Sequence, residues 1–176
     1  MKYFLVMLFL SCGLVSSAQD TFSLSDGSTM TIDGSSTIHD WTVTANTMSG
    51  SVKAEDTAPK EINFDVDVEN IKSERGPTMD NKMHAALKKE EHPKVSFKLS
   101  EVKNESTLIG TLTIAGQEKT VEVPVKMNAS GESIKLAGEQ KITLQDYGIE
   151  PPTAMFGQII VGDDVTVKFD LVFTKG

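Results

Sequence analysis

The chain holds a single cysteine, Cys12, among 176 residues. It falls in an N-terminal stretch that reads as a leader. The rest of the chain therefore has no disulfide, no thiol nucleophile and no thiolate metal site, although an exported protein could form disulfides. Basic charge is also scarce: 17 Lys and Arg face 25 Asp and Glu, a net charge of −8. That balance argues against nucleic acid as a partner, and equally against an anionic membrane surface. Past the leader, no apolar run approaches the roughly 20 residues of a membrane-spanning helix. Catalytic signatures are missing too. There is no G-x-S-x-G elbow, no H-E-x-x-H pair and no glycine-rich turn feeding a helix for phosphate.

What is present begins with the leader. Lys2, the apolar octet "YFLVMLFL" and the stretch "SCGLVSSA", with Ser16 and Ala18 placed for cleavage before Gln19, match a secretory signal peptide. The expected division is a signal peptide over 1–18 and one domain over 19–176, periplasmic or secreted. The alternative is a lipid anchor on Cys12 after a much earlier cleavage. The domain is long enough to bury a core without staples.

Within it the dominant signal has period two. "EINFDVDVEN" puts Ile62, Phe64, Val66 and Val68 on one face and Asn63, Asp65, Asp67 and Glu69 on the other. Side chains alternate across a strand, so this is a strand with one dry face and one wet face. "KVSFKLS", "TLIGTLTI", "TVEVPVKM" and "DVTVKFDLVF" repeat the pattern. Short turn signals ("AGQ", "NASGES", "VGDD") separate the runs, with Val161-Gly162-Asp163-Asp164 read as a turn. Pro124, on a polar phase, demotes part of its strand to an edge or a bulge. The spacing predicts eight or nine antiparallel strands in a barrel or a sandwich. One segment departs from this: Met79, Met83, Ala86 and Leu87 form a helical stripe, with Thr78 as the expected cap and His92-Pro93 ending the segment.

The polar candidates carry little chemistry. His39 and Asp40 in "GSSTIHDW" would point to opposite faces of a strand, so a structural role at a barrel rim outweighs a ligand contact, and catalysis comes last. His39, His84 and His92 form no short metal-ligand pattern, and the acids alternate with apolar residues as a solvated sheet face does. The apolar face is more informative, because an eight-stranded barrel either fills itself or keeps a cavity. "DYGIEPPTAMFG", stiffened by Pro151-Pro152, could wall such a cavity or plug an open edge.

"TMDNKMHAALKKEEHPKVSFKLS", "GTLTIAGQEKTVEVPV" and "LQDYGIEPPTAMFGQIIVGDDVTVKFDLVF" together resemble the YceI-like family, over essentially all of residues 21–174. The resemblance implies an all-β, extended, lipocalin-like barrel of eight antiparallel strands with one short amphipathic helix packed at the barrel. It also implies non-catalytic binding of a long apolar ligand in the lumen: a polyisoprenoid, an isoprenoid quinone or another lipid. No cofactor or metal is implied, and a homodimer is, since members often pair. The candidate contacts are Trp41, Phe64, Phe97 and Phe169 from strand faces, Met79, Met83 and Leu87 from the helix, and Met155 and Phe156 from the loop. The alternative reading is a structural or stress-related interaction barrel with a filled core. Family members often carry arginines beside the helix start and before the "DYG" stretch, and "PTMDNKM" and "TLQDYGI" have none there.

Overall fold

The computed structural model describes residues 19–176, the side chains of Ala154 and Met155 apart; residues 1–18, the expected signal peptide with Cys12, lie outside the described residues. The chain forms β1 (Asp20–Leu24), β2 (Thr29–Ser36), β3 (Asp40–Ala45), β4 (Met48–Glu55), β5 (Ala58–Asp67) and β6 (Ile71–Ser73). Helix α1 (Pro77–Ala86) comes next. It is followed by β7 (Lys94–Lys103), β8 (Thr107–Ile114), β9 (Gln117–Ala129), β10 (Ser133–Thr143), the two-residue β11 (Thr153–Ala154) and the long β12 (Ile159–Lys175).

The first six strands are three long strands, each broken once. β1 pairs with β4 (Phe22↔Val52) while β2 pairs with β3 (Gly34↔Trp41), and both β1 and β2 lie along β12. β4 pairs with β5 and β3 with β6 in the same way. Counted so, eight strands run in antiparallel order, and β12 closes the ring against β1 and β2. This is the expected eight-stranded barrel. The alternation explains it directly: Ile62, Phe64 and Val66 are buried inside, while the polar phase forms cross-strand pairs outside. Lys53 meets Glu61 at 2.8 Å, and Lys168 meets Asp33 at 2.8 Å. Hydrogen bonds from Lys168, then Thr42, hold the Asp33 carboxyl below its ordinary value. These acids belong to a solvated outer wall, where ion pairs contribute little to stability.

Two local expectations are corrected, and a third, the edge at Pro124, is met. The stretch 161–164 is a bulge inside β12, where the register to β2 shifts between Val161 and Val165, and no turn forms. A bulge and a turn share the same glycine-and-acid composition, and only the partner strand separates them. Thr78 does not cap α1: the helix begins at Pro77, with Gly76 before it at φ 86° and no side-chain cap. Proline suits the first helical position because its missing N–H has no partner there anyway. Pro124 leaves part of the continuous β9 as an edge: residues 117–124 pair with β8, while pairing to β10 covers only 125–129. Val125 N–H donates to the carbonyl of Ser106, just before β8, so the Pro124 nitrogen faces β10, and the pairing to β10 stops at Val125↔Gly138.

Helix α1 fills the gap where the wall splits between β6 and β7. Asp80 and His84, both buried, face the edge of β6. Asp80 Oδ1 accepts from the Ser73 N–H and the Ser73 hydroxyl, each at 2.8 Å. His84 Nε2 lies 2.9 Å from the Ile71 carbonyl; a carbonyl only accepts, so Nε2 carries the proton and donates. This latch leaves the Met79, Met83 and Leu87 stripe turned toward the barrel interior.

Candidate ligand-binding site

The inward side chains do not meet in the middle. They enclose a cavity of about 710 Å³, within the range of small-molecule sites, about 300–1,000 Å³. Its walls come from β2, β3, β5, β7, β8, β9, β10, β12 and α1, with Ile149 and Pro152 closing one side. One end is packed: Phe22, Val52 and Ile134 are at most 1% exposed, and Leu136 and Phe173, also buried, form the floor of the cavity there. A second cluster, Ile114, Ala115, Ile142, Tyr147, Ile149 and Val165, lies where the Ala115-Gly116 turn and the Leu144–Tyr147 helical turn come together.

Between these regions the aromatic rings lie against glycines of neighbouring strands. Trp41 pairs directly with Gly34, Phe64 with Gly50 and Phe169 with Gly138, and Phe97 sits diagonally from Gly110. A methyl group on Gly34 would overlap the indole, and methyls on Gly110, Gly138 and Gly50 would stand 2.5, 3.0 and 3.1 Å from the rings. The Trp41 ring is also tied down by its Nε1–H, which donates to the Ser35 carbonyl at 2.9 Å. Rings held flat on glycine occupy the wall and leave the axis free.

Seven of the nine expected contact residues line this cavity: Trp41, Phe64, Met79, Met83, Leu87, Phe97 and Phe169. Phe156 does not; it stands fully exposed beside the rim. The Met155 side chain lies outside the described residues. Sequence reasoning missed Ile38, Arg75, Lys82 and Gln140, which also line the cavity. Arg75 is the chain's one arginine, and its rarity was the available signal. Among the described residues, no Asp or Glu lines the cavity.

The nearest approach to a catalytic pair is Ser36 Oγ, 3.4 Å from His39 Nδ1. That distance exceeds the about 2.6–3.2 Å of a nucleophile–base contact. The hydroxyl donates instead to the His39 carbonyl at 2.8 Å, tying off the hairpin turn. Asp40 is exposed and does not line the cavity. Among the described residues, no three His, Cys, Asp or Glu side chains gather to hold a metal ion. The site can enclose an apolar chain and present a few polar groups at its opening.

Residues 21–173 match the YceI-like domain family. The chain belongs to the YceI-like family. Solved structures agree on the barrel. Burkholderia cenocepacia BcnA is 22% identical, with a TM-score of 0.67, over 82% of this chain and 95% of its own. A polyisoprenoid binding domain from Saccharophagus degradans, implicated in plant cell wall breakdown, is 14% identical at TM-score 0.71, covering 90% of this chain and 100% of its own. The Campylobacter jejuni YCEI protein is 16% identical at TM-score 0.62, over 100% of this chain and 99% of its own. No curated protein matches the chain. Among the described residues, no helix is long and apolar enough to cross a membrane.

Proposed function

We propose that this YceI-like barrel binds and carries a long apolar ligand, a polyisoprenoid, isoprenoid quinone or similar lipid, without transforming it. The observation that carries the reading is the lumen of about 710 Å³, lined mostly by apolar side chains and, among the described residues, by no carboxylate. The likeness to a barrel described as a polyisoprenoid binding domain supports the ligand class.

The energetics are adequate. Each CH₂ leaving water contributes about 0.8 kcal/mol, so ten buried carbons contribute about 8 kcal/mol before costs. Association and ordering remove several of these, which leaves micromolar or tighter binding within reach without a charge pair. The acidic outer wall keeps such a carrier dispersed and adds no specificity. A periplasmic or secreted setting belongs to the same proposal: residues 1–18 read as an export signal, and an insoluble lipid crossing an aqueous compartment needs an enclosing carrier.

Native mass spectrometry of protein purified without a lipid-stripping step tests the reading. The expected result is a mass excess that dissociates as one apolar compound or a chain-length series. A bare polypeptide mass, unchanged after incubation with polyisoprenoid alcohols and quinones, would overturn it.

A further inference from the structure

Three large apolar side chains are exposed among the described residues: Ile38, Phe156 and Ile160. They come from separate segments, and hydrogen bonds bring those segments together. Thr37 N–H donates to the Ile160 carbonyl at 3.0 Å, and Ile160 N–H donates back to Thr37 Oγ1 at 3.3 Å. The Thr37 hydroxyl also donates to the Gln158 carbonyl, two residues beyond Phe156. On the other flank, Lys82 Nζ of α1 donates to the Thr153 carbonyl at 3.5 Å. The tip of the β2–β3 hairpin, the strap before β12 and α1 therefore form one rim.

This rim borders the cavity. Ile38, Arg75 and Lys82 are exposed and also line the lumen, so the lumen reaches solvent there. Arg75 and Lys82 make no ion pair among the described residues. The neighbouring acids in sequence, Asp40, Glu74 and Glu150, are exposed and stay off the lining. Phe156 has φ 58°, a backbone region that disfavours a bulky residue, and its ring is wholly exposed. Among the described residues, no packing of the Phe156 ring offsets that backbone cost.

We propose that the rim is a docking surface for a lipid bilayer with anionic headgroups. Ile38, Phe156 and Ile160 enter the interfacial layer, Arg75 and Lys82 meet lipid phosphates, and the cavity opening faces the acyl chains. A ligand too apolar to travel alone then passes between bilayer and lumen without crossing water. The net acidity of the chain does not prevent this: charges farther away than about 10 Å are largely screened at 0.1 M salt, and the nearer Asp40, Glu74 and Glu150 stay off the lining that carries Arg75 and Lys82. The proposal goes beyond carriage and depends on the ligand-binding reading only for its purpose.

Flotation of the purified protein tests it, with vesicles of phosphatidylglycerol and phosphatidylethanolamine and with vesicles of phosphatidylcholine alone. The protein is expected to float with the anionic vesicles. Phe156→Ser should lower the bound fraction about tenfold. The Arg75→Gln/Lys82→Gln double variant should fall to the level seen with phosphatidylcholine, and Lys126→Gln on the outer wall should behave as wild type. Absence of flotation by the wild type, or unchanged flotation of Phe156→Ser, overturns the proposal. Dissociation of a dimer by Phe156→Ser, seen by light scattering without vesicle binding, assigns the patch to a second copy and overturns it too. Uptake of a detergent-dispersed polyisoprenoid alcohol is measured alongside. Its failure in wild type counts against the carrier function, while flotation still decides the docking surface.

Discussion

The packed end of the barrel and its open waist are built from the same strands and the same apolar phase, yet one is solid and the other hollow. Along β12, Phe173 is fully buried and Phe169, four residues earlier, is only half-buried. The difference lies across the strand. Phe173 stands opposite Ile134, and Phe22 opposite Val52. There a β-branched neighbour fills the wall beside the ring, and both are buried. Phe169 stands opposite Gly138 and Trp41 opposite Gly34, so those rings fold down onto bare backbone. Whether an eight-stranded barrel is filled is decided here by where glycine falls in the inward phase rather than by how apolar that phase is.

The largest expected effect tests the solid end. Phe173→Ala removes a ring from a site with no access to solvent and should cost about 3–5 kcal/mol. Phe97→Ala, on a ring that already borders an open lumen, should cost about 1–2 kcal/mol from lost transfer free energy alone. Urea unfolding of both variants makes the comparison, and equal losses would remove the distinction between the two regions.

At the waist the expected change is in binding. Met83→Asp puts a carboxylate on a wall that has none, and should weaken retention of a polyisoprenoid alcohol about tenfold or more. Native mass titration measures it, with circular dichroism confirming that the variant is folded. Retention equal to wild type in a folded variant would place the ligand away from α1.

Gly34→Ala probes the rule itself. The methyl must displace Trp41, and overpacking of this kind costs about 1–3 kcal/mol. A displaced indole narrows the lumen, so methyl-branched isoprenoid chains should lose more affinity than straight acyl chains. Gly131→Ala, with open space around the added methyl, is the control and should change neither quantity. Competition between a branched and a straight ligand, read by native mass, separates a calibre effect from general destabilisation.

Much of this was legible in the sequence, for physical reasons. Period-two alternation placed Ile62, Phe64, Val95, Phe97, Val121, Val167 and Phe169 on the inner face, because side-chain direction in a strand is a local property. The stripe of Met79, Met83 and Leu87 was legible for the same reason at helical period. The turn expected over 161–164 is a bulge because its bend depends on the register to β2, a tertiary quantity. The breaks that make three bent strands out of six segments, and the latch of Asp80 on Ser73, depend on partners far along the chain. Gly34, Gly50 and Gly138 each sit on an inward phase, yet pairing them with particular rings requires the register. Phe156 reads, with the loop's apolar side, as a wall of the cavity; the structure leaves it fully exposed and off the lining.

The smallest effect concerns the latch that holds α1 over the split wall, and it separates the helix side of the waist from the sheet side. The Ser73 N–H, then the Ser73 hydroxyl, with Lys72 and His84 nearby, keep the Asp80 carboxyl below its ordinary value although burial opposes this. A carboxyl depressed in the folded state contributes stability that is complete above its unfolded value of about 3.9. That stability fades as pH falls through the lower folded value. Asp80→Asn keeps an acceptor for Ser73 and loses the charge, and should cost about 1 kcal/mol at neutral pH. Its cost should shrink toward zero in acid, where the wild-type carboxyl is itself neutral. Melting temperatures of the two proteins, measured from neutral pH down through the carboxylate range, should converge. Parallel curves would mean that the latch is held by shape alone, with α1 packed on β6 as firmly as the strands are on one another.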